Sequence, residues 1–187
     1  MVYDAQRNTT HVAILAPQHW AHMLSSEIIE SAEAAAVPTL VPMAILEEES
    51  SRAEFYYNTY EAEVERITGK TGLYPWQLFV DDPRQDADLL NLTVRLTKCA
   101  QAVAAEKLAG QHLARALELV REMHGIYRRG LQHRVIDDSL LASVDEIAVR
   151  LDALTELSAN TVWWAEMLQS TIQACLQTVR TLGQGMG

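Results

Sequence analysis

Apolar residues recur at intervals of three and four through most of the chain, which is the spacing of one face of an α-helix. Runs that alternate apolar and polar residues, as strands do, are few. The first helical stretch is predicted from His19 to Ala36. We expect it to end before Pro38, because a residue that precedes proline is pushed out of the α region. Its apolar positions are Trp20, Met23, Leu24, Ile28 and Ala32.

The next segment is denser in apolar residues and predicts a buried helix from Leu40 to Glu49. A helix that is apolar nearly all round is expected to be buried. Thr39 is the expected N-cap, and Pro42 lies in the first turn, where proline is tolerated. We expect this helix to end at the polar run Glu47–Ser50, which would place carboxylates at the end of a buried element.

Residues 53–80 are less regular and are predicted to form loops. They carry the aromatic residues Phe55, Tyr56, Tyr57, Tyr60, Tyr74, Trp76 and Phe79. Aromatic rings with a polar tip would suit a groove for a sugar polymer, and the alternative is a small aromatic core under a loop. Asp81, Asp82 and Pro83 then open a new segment, with an aspartate as cap.

The second half of the chain predicts several further helices. Residues 86–129 are helical in pattern, with Gly110 as the expected interruption and Gly130 as the stop. Residues 137–154 predict another helix, capped by Asp138 or Ser139.

The last predicted helix, residues 157–182, has apolar positions that alternate in steps of four and three. That seam is predicted to dock on the domain, and pairing with another chain is the alternative. Trp163 and Trp164 are expected to pack on the domain, with a partner surface as the rival interpretation. The residues of the seam are Leu168, Ile172, Cys175, Val179 and Leu182.

The composition and charge of the chain argue against several classes of protein. No run of about 18 apolar residues occurs, so no membrane span is expected. Residues 1–15 lack a basic stretch followed by an apolar one, so no secretory signal is expected. Cys99 and Cys175 are expected to be buried reduced thiols, and a disulfide is the alternative. The net charge of −10 argues against nucleic acid as a partner.

Residues 27–50 resemble the opening of lytic transglycosylases and goose-type lysozymes. In that family a helix ends in a Gly-Val-Pro type of turn, and a buried helix follows that reads A-I-[ILV]-x-x-E-S. Val37-Pro38 and Ala44–Ser50 occupy those positions here. The resemblance implies that Glu49 is the catalytic residue and that Ser50 is a substrate-binding neighbour.

Two further segments extend the resemblance. Gly72–Gln77 is similar to the family's Gly-Leu-x-Gln or Gly-x-Trp-Gln element, with two extra residues between the Gly-Leu and the Gln. The resemblance implies that Gln77 and Trp76 bind substrate. Asp82-Pro83 and then a helix follow in the family's order. Tyr127–Gly130 is similar to a late tyrosine-glycine element without its asparagine, so Tyr127 is expected in the cleft, and a core position is the alternative.

The resemblance implies a mainly α chain with a lysozyme-like catalytic domain at residues 18–133. An N-terminal arm, residues 1–17, and a C-terminal helical extension, residues 134–187, flank it. The implied activity is cleavage of the MurNAc-GlcNAc bond of peptidoglycan glycan strands, without metal or cofactor. Hydrolysis and formation of a 1,6-anhydro sugar both remain open.

Glycosidic cleavage needs an acid that donates a proton to the leaving oxygen, and a positioned general acid contributes about 10²–10⁴ in rate. Partial burial of Glu49 would favour its protonated form. The alternative is that Glu47–Ser50 is an ordinary solvated helix end. His19 and His22 are three apart and could hold a metal, but an ordinary surface helix is favoured since no third ligand is apparent.

The acidic balance affects where such an enzyme would act. Bacterial walls are often polyanionic, so a chain of this charge is poorly steered to them. We therefore expect a virion-associated enzyme or one delivered to the wall by a larger assembly, otherwise cytoplasmic until release. The competing hypothesis is a non-enzymatic acidic helical interaction or structural protein, with partner binding or self-association through the C-terminal helix.

Overall fold

The computed structural model describes residues 2–4, 9–11, 37–71, 89–132 and 137–185. This part of the chain is mainly α, as predicted. Two short strands pair antiparallel within the predicted N-terminal arm, with Val2 opposite His11. The predicted helix from His19 to Ala36 lies outside the described residues. The elements are β1 (Val2–Asp4), β2 (Thr9–His11), α1 (Leu40–Thr71), α2 (Leu89–Leu131) and α3 (Asp138–Gly185).

Helix α1 begins where expected but does not end at the glutamates. Leu40 is its first residue, and the amide of Met43 donates to the carbonyl of Thr39 at 3.1 Å. The prediction of an end near Glu49 and of loops from residue 53 is wrong as far as Thr71. The helix continues after the polar run, and its next buried residues recur at helical spacing. They include Ala53, Tyr57, Val64 and Ile67.

Helix α2 is uninterrupted, so the predicted break at Gly110 is wrong. Gly110 is buried, and a β-carbon added there would lie 3.1 Å from Cγ2 of Val162. The glycine therefore serves close packing against α3. The helix ends at Leu131, one residue beyond the predicted stop at Gly130.

Helix α3 joins the two helices predicted at residues 137–154 and 157–182 into one element. Its cap is Asp137, one residue before the predicted candidates. The Asp137 carboxylate accepts the hydroxyl of Ser139 at 2.8 Å and its amide at 3.5 Å. Buried residues follow steps of three and four along most of the helix. The residues at these steps are Val144, Ile147, Leu151, Leu154, Ser158, Ala165, Leu168, Ile172, Cys175 and Val179, and Ser143 and Leu176 are also buried.

The chain divides into two compact units, and all three helices contribute to both. Unit 1 is Met1–Ser51 with His112–Ser158, and unit 2 is Arg52–Gln111 with Ala159–Gly187. Each unit has its own apolar cluster. The unit 1 cluster centres on Leu40, Met43, Leu117, Val144, Ile147 and Leu151. The unit 2 cluster centres on Ile67, Leu96, Val103, Ala165 and Ile172.

The C-terminal seam docks within unit 2, as predicted. Leu168, Ile172, Cys175 and Val179 are at most 6% exposed and belong to the unit 2 cluster. Cys99 joins the same cluster, and both cysteines are free and buried, as expected. None of the described helices is long and apolar enough to cross a membrane.

Candidate functional site

Glu49 and Ser50 lie in the unit 1 part of α1, within the helix and not at its end. Glu49 is partly buried, and Ser50 is 1% exposed. The Ser50 hydroxyl has no hydrogen-bond partner within the part of the chain that the structure describes. A buried hydroxyl of this kind costs roughly 1–3 kcal/mol of desolvation.

Glu47, in the polar run Glu47–Ser50, forms an ion pair with Arg150. The Nε of Arg150 on α3 donates to Oε1 of Glu47 at 2.9 Å, and its Nη2 donates to Oε2 of the same carboxylate. The two side chains are 30% and 22% exposed. A bidentate guanidinium–carboxylate pair fixes geometry as well as charge. Glu47 therefore joins α1 to α3 within unit 1.

The remaining predicted site residues are only partly accounted for. Tyr127, on α2 in unit 1, is partly buried against the unit 1 cluster, which is the core position that had been its alternative. Trp76 and Gln77 lie outside the described residues, and the cleft they were predicted to line stays a prediction. The aromatic residues Phe55, Tyr56, Tyr57 and Tyr60, expected on loops, lie on helix α1 instead.

A buried histidine in unit 1 was not identified from the sequence. His124 on α2 is 3% exposed and Thr39 is 1% exposed. The carbonyl of Val144 on α3 can only accept, so Nε2 of His124 carries the proton and donates to it at 3.0 Å. Nδ1 then accepts the Thr39 hydroxyl at 2.7 Å. A single neutral imidazole thus connects the start of α1 to both other helices.

One positive and one negative side chain near His124 shift its pKa in opposite directions, so burial is the main influence on this pKa. Desolvation by burial is the largest cause that lowers the pKa of His124 below 6.5. The Arg128 charge also lowers this pKa, while the Val144 hydrogen bond and the Asp145 charge raise it. Arg128 and Asp145 themselves pair at 2.8 Å. The sequence did carry a signal, since His124 continues the three-and-four spacing of Leu113, Leu117 and Val120.

Unit 2 carries an exposed aromatic surface on α3. Trp163 is 52% exposed and Trp164 is 45% exposed, with ring centroids 5.1 Å apart in an edge-to-face arrangement. Met167, one turn beyond Trp163, is 49% exposed. The prediction that both tryptophans pack on the domain is therefore wrong for Trp163, and the rival interpretation, a partner surface, stays a prediction.

Trp164 is anchored on its inner side by Tyr57. The ring centroids of the two residues are 6.1 Å apart, and the Tyr57 hydroxyl donates to the carbonyl of Trp164 at 3.2 Å. Burial, and next the nearby Glu61 charge, raise the pKa of Tyr57 to about 12. The hydroxyl therefore stays protonated and holds this part of α3 against α1 within unit 2.

A polar groove of about 570 Å³ also lies in unit 2. It is bordered by the ion pair of Lys107 and Glu166, whose charged atoms are 3.0 Å apart. Gln169, Gln173 and Gln177 line it at one-turn intervals along α3. Of the predicted site residues that the structure describes, Glu49, Ser50 and Tyr127, none lines this groove.

Metal chemistry finds no support in the described ranges, where no group of three or more His, Cys, Asp or Glu side chains could hold an ion. His19 and His22, the sequence candidates, lie outside those ranges. Comparison of the chain with protein-family models, with curated proteins and with solved structures found no match.

Proposed function

We propose that this chain is a non-enzymatic helical protein whose role is to bind another protein. The observation that carries the proposal is the exposed pair Trp163 and Trp164 on α3. Tryptophan is enriched among the residues that dominate binding energy at protein interfaces. Large exposed apolar patches on proteins mark sites that bind another protein, a membrane or a ligand.

The geometry of the pair favours a partner that buries it from one side. Trp163 and Met167 are four residues apart, so they share a face of α3. Tyr57 fixes Trp164 from below, so less side-chain freedom is lost when a partner covers it. The net charge of −10 disfavours a polyanionic partner. Because the exposed side chains are apolar, the favoured partner is a protein with an apolar groove.

The test of this proposal is loss of binding on a local change. A partner captured by the wild-type chain is identified by mass spectrometry, purified and titrated against the Trp163→Ala variant. We expect the dissociation constant to rise at least about tenfold, the range of a hot-spot residue. Val149→Ala is the matched control, because Val149 is 68% exposed on the same helix. Equal weakening by both variants, or by neither, would overturn the proposal.

The second candidate function is cleavage of peptidoglycan glycan strands with Glu49 as the acid. The observation that favours it is the partly buried Glu49 beside Ser50, whose buried hydroxyl has no described partner. A buried polar group without a partner calls for an explanation, and a catalytic role is one such explanation. Against it stands the continuous helix α1, which offers Glu49 no free helix end.

Digestion of purified peptidoglycan decides between the two. The interaction proposal predicts that a folded sample releases no soluble muropeptides. The enzyme proposal predicts release that the Glu49→Gln variant abolishes, while the exposed Glu54→Gln control retains it. Anhydro-muramic ends would indicate a lytic transglycosylase, and reducing ends would indicate a hydrolase.

A further inference from the structure

The start of helix α1 is attached to the other two helices of unit 1 through one imidazole ring. Thr39 immediately precedes Leu40, the first residue of α1, and its hydroxyl donates to Nδ1 of His124 at 2.7 Å. Nε2 of the same ring donates to the carbonyl of Val144 at 3.0 Å. Thr39, His124 and Val144 all lie in unit 1, so this connection is internal to that unit.

The connection requires a neutral ring, because both ring nitrogens already have a hydrogen-bonding role. Protonation of His124 turns Nδ1 from an acceptor into a donor. The Thr39 hydroxyl can then no longer donate to it, and its hydrogen has to find another acceptor in a region where Thr39 is 1% exposed. A buried donor that loses its acceptor is unfavourable, so protonation weakens the attachment of α1.

The charges around the ring also favour its neutral form. The amino end of α1 lies beside His124, and the amino end of a helix carries a partial positive charge. Within the described ranges, the charged side chains that act on the ring are Arg128 on α2 and Asp145 on α3. These two pair with each other at 2.8 Å, and burial is the largest cause that lowers the pKa of His124. The folded site therefore resists protonation.

Residues 37–46 are the part of unit 1 that lies between this connection and the next polar attachment of α1. That next attachment is the ion pair of Glu47 with Arg150 on α3. The segment contributes Val37, Leu40, Met43 and Leu46 to the unit 1 cluster, and each is at most 9% exposed. Its release would expose apolar surface and would give water access to the ring from the Thr39 side.

Histidine is distributed unevenly between the two units. The chain has six histidines, and all six lie in the residue ranges of unit 1. Histidine is the side chain whose ordinary pKa places its charge change between pH 5 and 8. A fall from neutral pH to pH 5 is therefore expected to act on unit 1 and to leave unit 2 largely unaffected.

We propose that residues 37–46 form an acid-sensitive segment, which protonation of His124 releases from unit 1 while unit 2 keeps its fold. The released segment is stabilised at low pH because a solvated histidine binds its proton more tightly than the buried one. At neutral pH the ring is unprotonated, and the segment stays packed. The proposal does not depend on the binding role of Trp163, which lies in unit 2.

Hydrogen exchange measured by mass spectrometry at pH 7 and pH 5 tests where the chain opens. Exchange rates are divided by the intrinsic rate at each pH. For the helical amides of residues 43–46 we expect an increase of up to about thirtyfold at pH 5, because a solvated histidine of pKa about 6.5 is then almost fully protonated. Peptides from residues 92–103 and 165–179 in unit 2 should keep their protection.

The matched variants are His124→Gln and His112→Gln. Both residues lie on α2 in unit 1, but His112 is exposed. His124→Gln should remove the acid response of residues 43–46, and His112→Gln should retain it. If His124→Gln does not fold, NMR titration of the wild-type histidine rings replaces it. One ring should then titrate below His112, with the same midpoint as the amide exchange.

The remaining outcomes would overturn the proposal. Unchanged protection of residues 43–46 at pH 5 would show that no release occurs. An equal loss of protection in unit 2 would show that the whole chain unfolds. An acid response that persists in His124→Gln would assign it to another group. The Trp163→Ala titration and the peptidoglycan digestion are carried out at neutral pH, so their results stay separate from this one.

Discussion

The cores of the two units differ in what they do with polar groups. Unit 1 buries His124 in hydrogen bonds to Thr39 and Val144, and it buries two serine hydroxyls that have no described partner. Unit 2 buries aliphatic side chains and two thiols, and the hydroxyl of its buried Thr68 donates to carbonyls of its own helix, at Val64 and Glu65. Sensitivity to pH and to small polar changes is therefore expected in unit 1.

The largest expected effect is the loss of stability when a buried aliphatic side chain is truncated, and it should be similar in the two cores. Leu117→Ala in unit 1 and Ile172→Ala in unit 2 each remove a side chain that is fully buried. Each should lower the free energy of unfolding by about 2–5 kcal/mol, measured by urea denaturation followed by circular dichroism. Leu119→Ala, at a position 58% exposed, should change it by about 0.5 kcal/mol or less. Costs as small as that control at either core position would contradict the assigned burial.

The second expected effect separates the units by pH. Because burial lowers the pKa of His124 below 6.5, the unfolded chain takes up protons at a higher pH than the folded one. The associated stability is complete above about 6.5 and is lost as the pH falls through the lower folded-state pKa. Denaturation midpoints of the wild type should therefore decrease between neutral pH and pH 5.

The matched variant for this effect is His124→Gln, whose amide can donate to Val144 and accept from Thr39. It should fold with a smaller pH dependence over the same range. Arg128 and Asp145 remain in place in both proteins, so their contribution cancels. Identical pH profiles would show that His124 is not the titrating group.

The third expected effect is a gain of stability. Ser158→Ala removes a fully buried hydroxyl that has no described partner, and the free energy of unfolding should rise by about 1 kcal/mol. The control is Ser170→Ala, because that hydroxyl is exposed and bonds to the carbonyl of Glu166. A loss of stability in Ser158→Ala would show that the hydroxyl does have a partner.

The smallest expected effect concerns the ion pair of Glu47 and Arg150. A double-mutant cycle with Glu47→Gln and Arg150→Gln should give a coupling energy of about 1 kcal/mol or less, since both side chains keep contact with solvent. The more exposed pair of Arg121 and Asp152 should give a smaller value. A larger value for the exposed pair would reverse the ranking by burial.

The helical class and much of the core could be predicted from sequence because three-and-four spacing reports which face is buried. The seam at Leu168 and Ile172 and the burial of both thiols follow from it directly. Helix ends were harder to predict. A polar run such as Glu47–Ser50 has the same composition whether it ends a helix or covers the solvent side of a longer one.

The polar contacts could not be predicted, because they join residues far apart in the chain. Thr39 satisfies the expected position at the start of α1, but its hydroxyl bonds to His124 across 85 residues of sequence. Gly110 has the composition of a helix break, and only its close approach to Val162 on another helix explains its place inside α2. The roles of Glu49 and Ser50 rest on the family resemblance and stay predictions.

The most direct test of whether this chain is the non-enzymatic protein proposed here is the release of soluble muropeptides from purified peptidoglycan by the wild-type chain, measured by mass spectrometry beside Glu49→Gln. The proposed role predicts no release from either protein, with a known muramidase as positive control. Release by the wild type that is lost in Glu49→Gln would contradict it and would establish Glu49 as the catalytic acid.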